Sequence, residues 1–180
     1  MKAILFSCLL LIVSSTNLRG TATYDWETVY TDLVNQHNTL RTKHRVGKLT
    51  KLKDIATMAL ATAKNCAKLK TLKHSSDSYS GQPVGQNLYV STWGPTAKDI
   101  LQGWYYKEEP NYNYNTGKSK NGGVIGHFTQ VVWKNTKQIG CAYATGTYLS
   151  YSNSYYVCCN YFPAGNYYGQ YTQNVRTPSA

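Results

Sequence analysis

Across residues 25–41, apolar side chains recur at Val29, Leu33 and Leu40, with His37 in the same line. That spacing predicts one face of a helix. A second helix is expected over residues 51–69, where Leu52, Ile55, Ala59, Ala63 and Cys66 align. Residues 73–85 carry Ser, Asp, Gly and Pro and read as a loop. A third helix is expected to begin near Thr96, whose hydroxyl can cap it, and to bury Ile100, Leu101, Trp104 and Tyr105. Residues 111–126, rich in Asn, Gly, Lys and Tyr, read as a long surface loop. Beyond them the texture turns β-branched and aromatic, predicting strands at 128–133, 139–144 and 155–161. The last two flank residues 145–154 and pair antiparallel about a centre near Ser150. A helical first half packed on a small antiparallel sheet is an α+β sandwich.

Ahead of these elements lies an apolar run, residues 3–13, preceded by Lys2 and followed by Ser14, Ser15 and Thr16. It is too short to span a bilayer and has the layout of a secretory signal peptide. Residues 1–20 are expected to be that signal, with cleavage between Ser15 and Thr23, and residues 21–180 a single domain. Cys8 then leaves, and Cys66, Cys141, Cys158 and Cys159 remain. An even number in an oxidising compartment favours two disulfides. The hairpin register brings Cys141 opposite Cys158 or Cys159. Successive strand side chains face opposite ways, so both cannot meet it. The favoured pairing is Cys141–Cys159, which leaves Cys158 for Cys66.

Composition narrows the class. The 180 residues are 42% hydrophobic and 15% charged, which excludes a disordered acidic chain, and no repeat is visible. The net charge of +11 becomes about +9 without Lys2 and Arg19. Arg41, Lys43, Arg45, Lys48, Lys51 and Lys53 crowd together, followed by Lys64, Lys68, Lys70 and Lys73. These cations form either a patch for anionic surfaces such as phospholipid head groups, glycans or nucleic acid, or a solvated helix face. A nucleic-acid partner is not expected.

Candidate chemistry rests on few residues. His37 lies in an apolar stripe and reads as structural, while His44 sits among cations at a helix end, where it is either solvated or interacts with the C-terminal dipole. His74 and His127 border loops and can project into a cleft. Glu108 and Glu109 end the third helix before Pro110. Two imidazoles and a carboxylate suit Zn²⁺ with an open position, or acid–base work.

The segment from Gly126 to Asn135, followed by Ile139-Gly140-Cys141, resembles the most distinctive signature of the CAP superfamily. Cys159-Asn160-Tyr161-Phe162-Pro163-Ala164-Gly165-Asn166-Tyr167 resembles its second. His37-Asn38-Thr39-Leu40-Arg41, Lys73-His74-Ser75 and Gly85-Gln86-Asn87-Leu88 fit the family in order. That superfamily holds cysteine-rich secretory proteins, insect venom allergens and plant pathogenesis-related proteins. The resemblance covers residues 30–175, and 111–175 look especially like fungal secreted sterol-binding members. It implies a three-layer α-β-α sandwich with a cleft walled by two His and two acidic residues, at His74, Gln86, Glu108 and His127. The Glu108 assignment needs one extra residue after Trp104, so Glu109 stays open. Gln86 stands where the family usually has glutamate, and an amide cannot act as a base. The two-His metal site is left intact, so Zn²⁺ on His74 and His127 is the cofactor to consider.

The leading expectation is therefore a secreted, monomeric, non-enzymatic protein that binds sterols or other small lipids. Tyr105, Tyr106, Tyr112 and Tyr114 are the expected ligand contacts, since tyrosine joins a flat apolar face to a polar tip. One alternative is a metal-assisted protease using His74, His127 and Glu108, although no Gly-x-Ser-x-Gly or His-Glu-x-x-His motif is present. Another is a scaffold engaging a membrane surface or an extracellular protein partner.

Overall fold

The computed structural model describes residues 23–179. The expected signal peptide lies outside the described residues. In chain order the elements are α1 (Trp26–Lys43), β1 (Thr50–Lys51), α2 (Lys53–Leu69), β2 (Ser78–Tyr79), β3 (Gln82–Pro83) and β4 (Gly85–Ser91). They continue with α3 (Ala97–Leu101), which runs into a π-helical turn (Gln102–Tyr106), then β5 (Tyr112–Asn113) and β6 (Lys118–Ser119). The chain ends with α4 (Gly126–Val131), β7 (Gln138–Tyr148), β8 (Tyr151–Phe162) and α5 (Tyr171–Asn174).

α1 and α3 start where local side chains supply their first acceptors. Asp25 caps α1 by accepting from the Thr28 N–H. Thr96 and Asp99 form a reciprocal capping box on α3. On α1 the buried positions Tyr30, Leu33, Val34, His37, Leu40 and Arg41 follow the helical period. Those of α2 are mostly small, which lets the helix lie close on the sheet. At Gly140 an added Cβ would come within 2.3 Å of the Ala56 nitrogen, so this contact requires glycine.

Four strands form the main sheet in the order β1-β7-β8-β4. β7 pairs antiparallel with β8 and sets Cys141 opposite Cys159, as the hairpin register predicts. The expected antiparallel sheet is mixed in one respect, because the two residues of β1 pair parallel with β7. One sheet face packs on α1, α3 and α4 through Leu33, Leu40, Ile100, Trp104, Phe128, Ile139, Cys141 and Tyr161. The other packs on α2 through Ala59, Ala63, Cys66, Leu88, Tyr156 and Cys158. Helices on both faces of the sheet make the α-β-α sandwich.

Several expectations are corrected. Residues 128–133 are not a strand: residues 126–131 are α4, whose end is held by buried Arg41, donating to the carbonyls of Val131 and Trp133. Arg41 also donates to Gly47 and Thr136, so it is a structural cation rather than part of a surface patch. The two predicted loops each contain a short hairpin, β2–β3 and β5–β6. The Cys141–Cys159 disulfide is present, but Cys66 and Cys158 are free thiols buried in one cluster. Each has its own acceptor, the Lys73 carbonyl for Cys66 and Asn160 Oδ1 for Cys158. Burial pushes the Cys158 thiol well above its ordinary value.

Candidate functional site

Two imidazole pairs flank β4. On the α3–α4 side, the π turn delivers Glu108 to the start of α4. A π turn carries one residue more than the α-helix it interrupts, which supplies the extra position after Trp104. Glu108 Oε1 lies 2.6 Å from His127 Nδ1, and Oε2 accepts from the N–H groups of His127 and Phe128, each at 3.0 Å. The carboxylate side chain is 9% exposed and the imidazole 31%. Trp104 stacks on His127 and donates its indole N–H to the Leu88 carbonyl. Asn87 Nδ2 ties the His127 carbonyl to β4. Glu109 turns elsewhere and accepts from the Tyr114 hydroxyl. Glu108 is thus the residue facing His127.

On the α2 side, His74 Nδ1 lies 2.9 Å from Gln86 Oε1, which also accepts from the Ser75 N–H. Gln86 Nε2 donates to Ser75 Oγ and to Asn160 Oδ1. Asn160 in turn donates to the Ile55 carbonyl, which fixes its orientation. A glutamate at position 86 would set a second acceptor against Asn160 Oδ1. The amide therefore matches its surroundings, and the departure from the family pattern has a local physical basis.

In both pairs Nδ1 meets a carbonyl or carboxylate oxygen, so in the neutral ring Nδ1 carries the proton and Nε2 the lone pair. Those two Nε2 atoms are what a metal would meet. A carboxylate behind one metal-ligating imidazole and an amide behind the other is a workable outer shell. Among the described residues no group of three His, Cys, Asp or Glu stands close enough to hold a metal. Protein ligation by imidazole would rest on His74 and His127 alone. Neither ring has a hydroxyl or thiol partner among the described contacts.

The other two histidines are structural. His37 is fully buried, with Nδ1 donating to the Leu33 carbonyl and Nε2 accepting from the Tyr161 hydroxyl. Burial pulls its pKa down to about 4. His44 closes the C-terminal end of α1, but of its two expected settings solvation is corrected: it is buried between the Arg176 carbonyl and the Tyr105 hydroxyl, and burial lowers its pKa as well.

The four tyrosines come together, but largely inside the core. Tyr105 and Tyr112 are buried edge-to-face around Phe128, and Tyr114 is half-buried against both Tyr112 and Phe128. Only Tyr106 is exposed. Edge-to-face packing adds to the burial of these large rings, which favours a packed cluster over an open platform.

Sequence reasoning missed a groove of about 510 Å³ between the start of α1, the start of α2 and the edge of β7. Trp26, Tyr30, Leu60 and Tyr143 line it, with Lys51 and Lys53 beside them. The Lys51 ammonium stands 4.3 Å from the centre of the Tyr30 ring. The groove forms because β1 covers only the first two residues of β7. No periodicity in the sequence announces so short a strand.

The sandwich and its two imidazole pairs define the class. Residues 34–161 match the model of the cysteine-rich secretory protein (CAP) family, and the chain belongs to that family. It is 35% identical over 151 residues to human Golgi-associated plant pathogenesis-related protein 1, covering 83% of this chain and 93% of the relative. The structure of Schistosoma mansoni venom allergen-like protein 4 matches with a TM-score of 0.59 at 23% identity, over 83% of this chain and 94% of that one. NaASP2, solved with Zn²⁺, matches with a TM-score of 0.50 at 25% identity, over 87% and 90% of the two chains.

Proposed function

We propose that the protein acts outside the cell as a non-enzymatic binder of sterols or other small lipids. The groove beside α1 carries this reading, since about 510 Å³ is a volume suited to a small organic ligand. Its aromatic and aliphatic lining would take an apolar body, while Lys51 and Lys53 would meet a polar or anionic head. The loop tyrosines enter only through exposed Tyr106 and half-buried Tyr114. The expected signal peptide and the Cys141–Cys159 disulfide fit an oxidising, extracellular setting. Among the described residues no helix is long and apolar enough to cross a membrane. Titration of the purified protein with labelled cholesterol and a labelled fatty acid tests the reading. Saturable binding of at least one is expected, and saturable binding of neither would sink it.

The free Nε2 atoms favour a second feature, a Zn²⁺ ion held by His74 and His127. When bound, the ion would supply a fixed positive charge for a carbonyl or anionic group. NaASP2 was solved with this metal, which supports the reading for a chain of the same fold. Calorimetry with Zn²⁺ is expected to show binding that His74→Ala abolishes. Identical isotherms would remove the site.

A further inference from the structure

One end of the molecule places exposed apolar side chains among cations that have no carboxylate partner. α2 runs beside β7 in the same direction, because Gly140 abuts Ala56 and Gly146 abuts Ala67. The end of α2 and the Leu149–Ser150 turn between β7 and β8 therefore share one end. Leu69 and Leu72 are 46% and 40% exposed there, Leu149 is 76% exposed and Tyr151 56%. Lys64, Lys68, Lys70 and Lys73 are exposed beside them. Among the described residues none of these lysines forms an ion pair. The sequence has no acidic residue between Asp54 and Asp77 or after Glu109. Asp77 is already the acceptor for Ser75 and Thr62.

Backbone conformation adds a second observation. Lys70 closes α2 at φ 55°, and Leu149 opens the hairpin turn at φ 53°. Glycine or asparagine adopts this left-handed conformation at lower cost. Here the positions hold a lysine and a leucine, the two side-chain types that a charged lipid surface takes up. We propose that this end docks on an anionic phospholipid bilayer. Leu69, Leu72, Leu149 and Tyr151 enter the head-group layer, and the four lysines face the phosphates. An anionic glycan would engage the lysines alone and leave the leucines in water, so the leucines decide for the bilayer. The groove opens further back along α2 and β7, at Leu60 and Tyr143, so this inference does not rest on a lipid ligand there.

Flotation of the purified protein with sterol-free vesicles of phosphatidylcholine, with or without phosphatidylserine, tests the proposal. Binding is expected only with phosphatidylserine and is expected to weaken with added salt. Leu149→Asn and Leu69→Ser should each lower partitioning about ten-fold, and joint Lys68→Ala and Lys70→Ala about twenty-fold. Asparagine suits the backbone at position 149, so an unchanged or higher melting temperature separates lost docking from lost folding. Absence of binding to phosphatidylserine vesicles overturns the proposal. So does binding that both leucine substitutions leave intact, with equal retention on heparin, because the cations would then be acting alone.

Discussion

The two imidazole pairs beside β4 differ in what holds them. His127 is held by a buried carboxylate that also accepts two backbone N–H groups at the start of α4. His74 is held by an amide whose orientation comes from Ser75 and Asn160. The first pair is part of the fold, since without Glu108 the first N–H groups of α4 lose their acceptor. The second is a surface network, with His74 exposed. Matching residue types on the two sides of one strand thus need not share one function. One pair ties a helix in place and the other trims a loop.

The largest effect that would sharpen this contrast is on stability. Glu108→Ala should lower unfolding free energy by about 4 kcal/mol in urea, through lost charge-assisted bonds and orphaned N–H groups. Gln86→Ala should cost only about 1 kcal/mol. Equal losses would break the comparison.

His37 stands behind the His127 pair, because the Tyr161 hydroxyl that it accepts from also accepts from Asn87, which holds the His127 carbonyl. Its folded-state pKa lies near 4, below the usual 6.5, so the unfolded chain takes up the proton first as pH falls. The associated stability is full above about pH 6.5 and is lost as pH falls towards 4, a change of about 3 kcal/mol. Denaturation curves across this range should show that slope. His37→Gln should remove its share of that slope and leave the share due to buried His44.

The smallest effect concerns metal affinity. Gln86→Glu places a carboxylate behind His74, and if the two imidazoles share Zn²⁺ the affinity should rise about ten-fold by calorimetry. No change would mean that His74 is not a ligand.

Much of this architecture was legible because it depends on local period and capping. α1 and α2 follow their apolar stripes, Thr96 caps α3, and the β7–β8 register puts Cys141 against Cys159. Readings failed where distant partners decide. The β-branched and aromatic segment 128–133 looks like a strand, yet Glu108 accepts from the N–H groups of His127 and Phe128 at its start and Arg41 holds its last carbonyls. His44 sits among cations in sequence but is covered by Tyr105 and the chain near Arg176. The motifs singled out the residues that form the two imidazole pairs, and the π turn explains the one-residue offset before Glu108. The groove was not legible, since it arises from the shortness of β1 and has no motif of its own.

On the proposed function, the groove beside α1 rather than the His127–Glu108 pair holds the lipid. Binding of labelled lipid to Leu60→Asp, compared with the His74→Ala and His127→Ala double variant, tests it most directly. The account predicts that the groove substitution lowers affinity at least ten-fold, about the cost of losing one buried apolar side chain, while the double variant binds normally. Binding lost in the histidine variant and kept in Leu60→Asp would contradict it.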